Sequence, residues 1–133
     1  MKILFVCRGN IGRSQMAEVI YNSLYPDSAK SAGTIVHSEN QKVKDRPGAK
    51  SAIEAMHEIG LDISNNVSTQ LNEEMLDDYD KVVVMAEPET IPDFLRKSKK
   101  FEYWQVDVAK DVDLKKARDI REKIASLISE MKK

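Results

Sequence analysis

The sequence predicts a doubly wound α/β fold, a four-stranded parallel sheet with helices on both faces, and three features carry that expectation. Residues 2–6 and 81–85 are apolar runs without alternation, the pattern of strands covered on both sides. Segments with apolar residues at helical spacing stand between the strand candidates. Proline or glycine punctuates most of the boundaries.

Taken in order, Lys2, Ile3, Leu4, Phe5 and Val6 form the first strand. A helix follows over 13–25, with Met16, Ala17, Val19, Ile20 and Leu24 on one stripe and Pro26 as its stop. Residues 29–36 read as a second, short strand. Beyond Pro47, which suits a first helical turn, Ala49, Ala52, Ile53, Met56 and Ile59 make an apolar face that Gly60 closes. Residues 81–85, Lys-Val-Val-Val-Met, form the clearest strand and are expected at the sheet centre. A short helix over 89–97 leads to a fourth strand over 101–106. The last segment is an amphipathic helix with Leu114, Ala117, Ile120, Ile124, Leu127, Ile128 and Met131 facing inward. Strands joined by helical crossovers give right-handed βαβ units, and such sheets bind ligands beyond the carboxyl ends of their strands.

Length and composition narrow the function. With 133 residues, 41% of them hydrophobic, one core over 1–133 is expected and no linker divides it. Basic and acidic residues nearly cancel, 21 against 22, so bulk charge draws in neither nucleic acid nor an anionic membrane. Only four consecutive apolar residues precede Cys7, too few for a signal-peptide core, and no run suits a membrane span; a cytoplasmic location is expected. One cysteine excludes an intrachain disulfide. Together with His37 and His57 it does not supply a structural zinc tetrad, and no metal or cofactor is expected.

The turn after the first strand concentrates chemistry. Cys7-Arg8-Gly9-Asn10-Ile11-Gly12-Arg13-Ser14 places a thiol, a guanidinium, a hydroxyl and two glycines between a buried strand and a helix N-terminus. Gly9 and Gly12 permit positive φ, so that successive N–H groups converge on one point where the helix also presents its positive end. That arrangement is an anion cradle. Arg13 adds a planar fork matched to two oxygens of a phosphoryl group. A sulfur facing the same donors is stabilised as a nucleophilic anion, Ser14 is placed to donate a hydrogen bond to it, and Asn10 is suited to hold the unusual backbone. A Walker-type nucleotide loop is excluded by spacing and by the lack of a Lys-Ser/Thr pair.

The C-x5-R-S pattern, within residues 6–18, resembles the low-molecular-weight protein tyrosine phosphatases. Ser31-Ala32-Gly33-Thr34, the stretch 58–64, Gln70-Leu71 and Val83-Val84-Met85 look like further landmarks of that family in its order. The resemblance implies a phosphatase I-like fold and metal-independent hydrolysis of phosphate monoesters, with a phosphorylated protein or peptide as substrate and inorganic phosphate as product. Cys7 would be the nucleophile and Arg13 the clamp, with Arg8, Gly9, Asn10, Ile11, Gly12 and Ser14 completing the phosphate-binding loop. The family's general acid is an Asp before a proline after the last strand. Here that stretch carries Asp107 and no proline, so Asp107 is the expected acid and Asp111 the alternative.

Gly12 replaces a second cysteine common in the family, and the related arsenate reductases need further thiols that this chain lacks. Val108 and Ala109 stand where a tyrosine-rich wall is usual. Ile11 matches tyrosine-directed members and favours phosphotyrosine over phosphoarginine, and Arg8 is a charge suited to acidic substrates. Two other functions fit the loop: a phosphate-binding regulator with weakened catalysis and a phosphocysteine carrier, the latter ranked last because Arg13 favours hydrolysis over storage. His57 reads as solvated or locally satisfied, the run Arg96-Lys97-Ser98-Lys99-Lys100 as a solvated loop, and Tyr103 and Trp104 as sheet packing.

Overall fold

A computed structural model describes residues 1–131. Its elements are β1 (Ile3–Cys7), α1 (Arg13–Leu24), β2 (Ala29–Gly33), α2 (Lys50–His57), β3 (Lys81–Val84), α3 (Asp93–Arg96), β4 (Phe101–Tyr103) and α4 (Leu114–Ser129). The four strands are parallel in the order β2-β1-β3-β4, so the chain reverses its direction of travel across the sheet at β1. The crevice at the carboxyl end of β1 is thus the topological switch point, where doubly wound sheets bind ligands.

Strict side alternation along buried strands builds two cores. Ile3, Phe5, Val83 and Met85 face α1, α2 and α4 together with Met16, Ala52, Met56, Ile120 and Ile124. Leu4, Val6, Val82 and Val84 face the opposite way, against Leu76 of a 3-10 segment at Glu73–Asp78 and Leu95 of α3. All five residues of β1 are buried, which explains their apolar run without alternation. Trp104 packs its ring 5.9 Å from that of Phe5, so its role in sheet packing holds.

Several boundaries differ from expectation for identifiable reasons. The helix over 89–97 is broken: a 3-10 turn at Pro88–Thr90 is followed by α3, because Pro92 forces Ile91 into extended backbone. The strand over 29–36 ends at Gly33, where the chain leaves the sheet to bond with the backbone of the first turn, Thr34 N to Cys7 O and Ile35 N to Arg8 O, both at 2.9 Å. The strand over 101–106 is likewise cut to Tyr103, with one further bond from Trp104 N to Val84 O. Ile59 lies past the end of α2 and is 45% exposed, and Gly60, at φ 77, turns the chain away. Helix α4 stops at Ser129, short of Met131. The basic run is not simply solvated: the Arg96 guanidinium bonds to the carbonyls of Pro88 and Ile91, and Lys100 Nζ bonds to Leu76 O at 2.6 Å.

A charged clasp joins α2 to α4. Arg118 donates to both Glu58 carboxylate oxygens, and Arg121 donates to Glu58 Oε1 at 2.7 Å and to Ala55 O at 2.8 Å. The bonds from Arg118, then Arg121, hold the Glu58 carboxyl down to about 2 from its ordinary 4.5. A carboxyl lowered on folding stabilises the fold above its unfolded value and stops doing so as pH falls toward the folded one. Thermal unfolding followed by circular dichroism is expected to show a loss of stability between pH 4.5 and 2 that is smaller in Glu58→Gln, the two proteins converging at the acid end.

Candidate active site

The first turn is built around one residue in left-handed backbone. Asn10 sits at φ 57 and is fully buried. Its amide nitrogen donates to Ser14 Oγ at 2.7 Å and Ser31 Oγ at 3.0 Å, and its amide oxygen accepts from Thr69 N at 2.9 Å and Gln15 Nε2 at 3.2 Å. Ser31 Oγ in turn donates to Glu18 at 2.6 Å. Burial raises the Glu18 pKa, against the lowering effect of that bond and of Lys30. The expectation that Gly9 and Gly12 supply the positive φ is therefore corrected, since neither is among the positive-φ glycines, which are Gly48 and Gly60. Gly12 serves close approach instead, because a Cβ there would lie 2.9 Å from that of Ala109.

The sulfur of Cys7 ends β1 at the base of this turn, 2% exposed and 2.9 Å from Ser14 Oγ. Helix α1 begins at Arg13 with Gly12 as N-cap and no side-chain cap. Its first-turn N–H groups and dipole remain available to an anion.

Arg13 is almost wholly buried and fixed by three acceptors. Nη1 donates to Met85 O at 2.5 Å and Val106 O at 3.3 Å, and Nη2 donates to Glu87 Oε1 at 2.8 Å. A guanidinium has five N–H donors, so Nε–H and one Nη2–H remain unused by these acceptors. Glu87 thus orients the clamp. Partial burial acts to raise the Glu87 pKa, but the bond and charge of Arg13 outweigh it and hold the carboxyl below its ordinary 4.5.

Cys7, Arg8, Gly9, Ile11, Gly12 and Arg13 line one cleft of about 400 Å³. Ile35, His37 and Arg46 wall it from the loop after β2, and Val108, Ala109 and Lys110 from the segment after β4. Asn10 and Ser14 lie beneath it as supports. Asp107 is not in this cleft. Its carboxylate is exposed and bonded to Lys116 Nζ, in a neighbouring groove that includes Gln105 and Val106. The bond and charge of Lys116 lower its pKa from the ordinary 3.8, with a smaller contribution from Arg13. Asp111 does not line the cleft either, being held in left-handed backbone against Gly48. His57 pairs locally with Asp62 at 3.2 Å.

Sequence reasoning missed Glu87, the supports Gln15 and Ser68, and the wall residue Arg46; Ser31 and Gly33 stood in a stretch marked by the resemblance but had no assigned role. Gln15 was legible only as a polar break in the buried part of α1. It spans Asn10 O at 3.0 Å and Val67 O at 3.1 Å. Ser68 Oγ donates to Asn10 O at 3.1 Å.

Fold and turn together define a cysteine-centred phosphate-binding site on a doubly wound sheet. The family model described as low molecular weight phosphotyrosine protein phosphatase matches residues 2–122, and the chain belongs to that family. Arsenate reductase 2 of Staphylococcus epidermidis is 32% identical over 133 residues, covering 98% of this chain and 95% of its own. The crystal structure of a low molecular weight protein tyrosine phosphatase from T. tengcongensis superposes with a TM-score of 0.80 at 30% identity, covering 97% of this chain and 95% of its own. A mutant of the YwlE arginine phosphatase with a phosphorylated active site serine gives a TM-score of 0.80 at 26% identity, over 96% and 91% of the two chains. No helix of the described residues is long and apolar enough to cross a membrane.

Gly33 offers a direct test of the scaffold. A Cβ there would lie 2.6 Å from Arg8 O and 3.1 Å from Asn10 Cβ. Gly33→Ala is expected to cost about 1–3 kcal/mol in urea denaturation and to weaken binding of inorganic phosphate in calorimetry, since the clash pushes on the turn itself.

Proposed function

We propose that the protein hydrolyses phosphate monoesters, with protein phosphotyrosine as the favoured substrate, through a phosphocysteine on Cys7. The observation that carries this is the pairing of a sulfur, hydrogen-bonded to Ser14, with an arginine that keeps two unused donors and lines the same cleft. The sulfur attacks phosphorus, forming S–P as the P–O bond to the leaving group breaks. Asp107, protonated, delivers its proton to the leaving oxygen. Water then forms the new P–O bond as S–P breaks, giving its proton to the Asp107 carboxylate, and inorganic phosphate leaves. Arg13 and the turn N–H groups hold the equatorial oxygens through both steps. Asp107 must first part from Lys116 and turn toward the cleft.

Two details support an aryl ester. Ile35 and Val108, 52% and 43% exposed, give the cleft apolar flanks in place of the aromatic wall, and Ile11 is the residue type of tyrosine-directed members. Arsenate reduction of the kind that ends in an intrachain disulfide is incompatible with a lone cysteine, whereas hydrolysis needs only one sulfur. The second reading, a phosphate-binding regulator with weakened catalysis, is favoured by the pairing of Asp107 with Lys116 outside the cleft. It predicts phosphopeptide binding without turnover.

Steady-state assays on phosphotyrosine, phosphoserine and phosphoarginine peptides separate these readings. Cys7→Ser is expected to lower turnover at least about a thousandfold, and Asp107→Asn by about a hundredfold or more. Turnover persisting in Cys7→Ser rules the mechanism out. The pH profile tests the acid independently. Activity should fall with rising pH as Asp107 loses its proton, and because Lys116 lowers that pKa, Lys116→Met should move the falling limb to higher pH.

A further inference from the structure

Each of the three chain segments around the cleft contributes a cation beyond Arg13. Arg8 comes from the first turn, Arg46 from the loop after β2 and Lys110 from the segment after β4. Among the described residues, none of these three side chains takes part in an ion pair or a hydrogen bond, although Arg8 feels the charge of Glu87, and no Asp or Glu lines the cleft.

Arg46 differs from the other two. Its Nη1 is the only buried side-chain nitrogen or oxygen among the described residues without a hydrogen-bond partner. Arg8 and Lys110 are exposed, so water satisfies their donors, whereas the sequestered guanidinium nitrogen of Arg46 reaches neither solvent nor a protein acceptor. Because Arg46 also lines the cleft, a turn of its guanidinium brings that unmatched donor to an acceptor that arrives with the ligand, and an anionic one makes the strongest bond. The phosphoryl group is not that acceptor's only candidate, since the turn amides, the α1 N-terminus and the unused donors of Arg13 already serve it.

We infer that the cleft is built for a phosphorylated residue with an acidic residue directly beside it in the peptide, and that Arg46 is the specificity-determining contact to that second carboxylate. Arg8 and Lys110 supply a screened, longer-range attraction for the same acidic segment. This rests on the phosphatase reading for the identity of the first anion. The second anion follows from the unmatched cations alone.

Three phosphotyrosine peptides, identical except for Glu, Gln or Lys on both sides of the phosphotyrosine, test the inference by kcat/KM in wild type, Arg46→Gln and Arg46→Glu. Their Kd values for Cys7→Ser, measured by calorimetry, give a readout that needs no turnover. Wild type should prefer the Glu peptide over the Gln peptide by about tenfold, the gain of one charge-assisted bond at a partly open site. The ratio should fall to about one in Arg46→Gln and invert toward the Lys peptide in Arg46→Glu. Equal use of the Glu and Gln peptides by wild type overturns the inference, as does a preference that survives Arg46→Gln. A sugar bisphosphate that outcompetes the Glu peptide in an Arg46-dependent way overturns the peptide as the source of the second anion. Selective binding by Cys7→Ser without any turnover in wild type would sink the hydrolase and leave this inference standing. Turnover without selectivity would do the reverse.

Discussion

Asn10 is the constraint on which the site depends. A side chain at φ 57 is costly for most residues, and glycine is the usual solution. Glycine, however, would leave Thr69 N–H without its acceptor and would take one bond each from Ser14, Ser31 and Gln15. The Asn10 amide uses both of its donors and both acceptor positions, on Ser14, Ser31, Thr69 and Gln15, in a position closed to water. Through Ser14 the network reaches the Cys7 sulfur, and through Ser31 and Thr69 it fastens the turn to β2 and to the loop near Ser68. One residue therefore sets the backbone shape of the turn and the orientation of the hydroxyl that touches the Cys7 sulfur.

The sheet makes that arrangement rigid from below. Because β1 is buried along its whole length and paired on both sides, Cys7 has little freedom at the strand end. Gly33 lets β2 come close enough for the following backbone to bond to Cys7 and Arg8. Arg13 is fixed from the other side of the crevice, by carbonyls that follow β3 and β4 and by Glu87. Arg13 is thus fixed at the switch point of the sheet by contributions from the segments that follow three different strands. Such preorganisation is what stabilises charge that develops at a transition state, because the donors need not reorganise when it forms.

What the chain discloses directly follows from the range of the interactions concerned. β1 and β3 were legible because burial on both faces writes itself into consecutive residues, and the turn was legible because its cysteine, arginine and serine are neighbours in sequence. Other features depend on contacts across the fold. Glu87 lies 74 residues from the arginine it orients, and Gln15 bonds to Val67, 52 residues away. Nothing local distinguishes either from an ordinary polar residue. The glycines misled in the opposite way: their presence suggested positive φ, while the left-handed position belongs to Asn10 and the glycine at 12 answers to the crowding of Ala109. Pro92 did carry a local signal, the break between the 3-10 turn and α3, which helical spacing alone obscures.

The segment after β4 divides the labour of the site in a way the strand pattern did not reveal. Val106 gives its carbonyl to Arg13, while Val108, Ala109 and Lys110 wall the cleft, so the backbone passes the reaction centre closely. Asp107, between them, points the other way and is held by Lys116 of α4. The segment is irregular here, with Gln105, Val106 and Asp107 lining the neighbouring groove and Val108, Ala109 and Lys110 the cleft, so the chain changes sides after Asp107. With no proline after Asp107, the backbone there is not restricted as a residue before proline would be, and the carboxylate has a cationic partner outside the cleft. That partner makes an exposed, screened ion pair, a weak restraint on the carboxylate. In the proposed mechanism, proton delivery is a competition between Lys116 and the ligand for one carboxyl group. The cradle and clamp, whose partners are buried, need no such change.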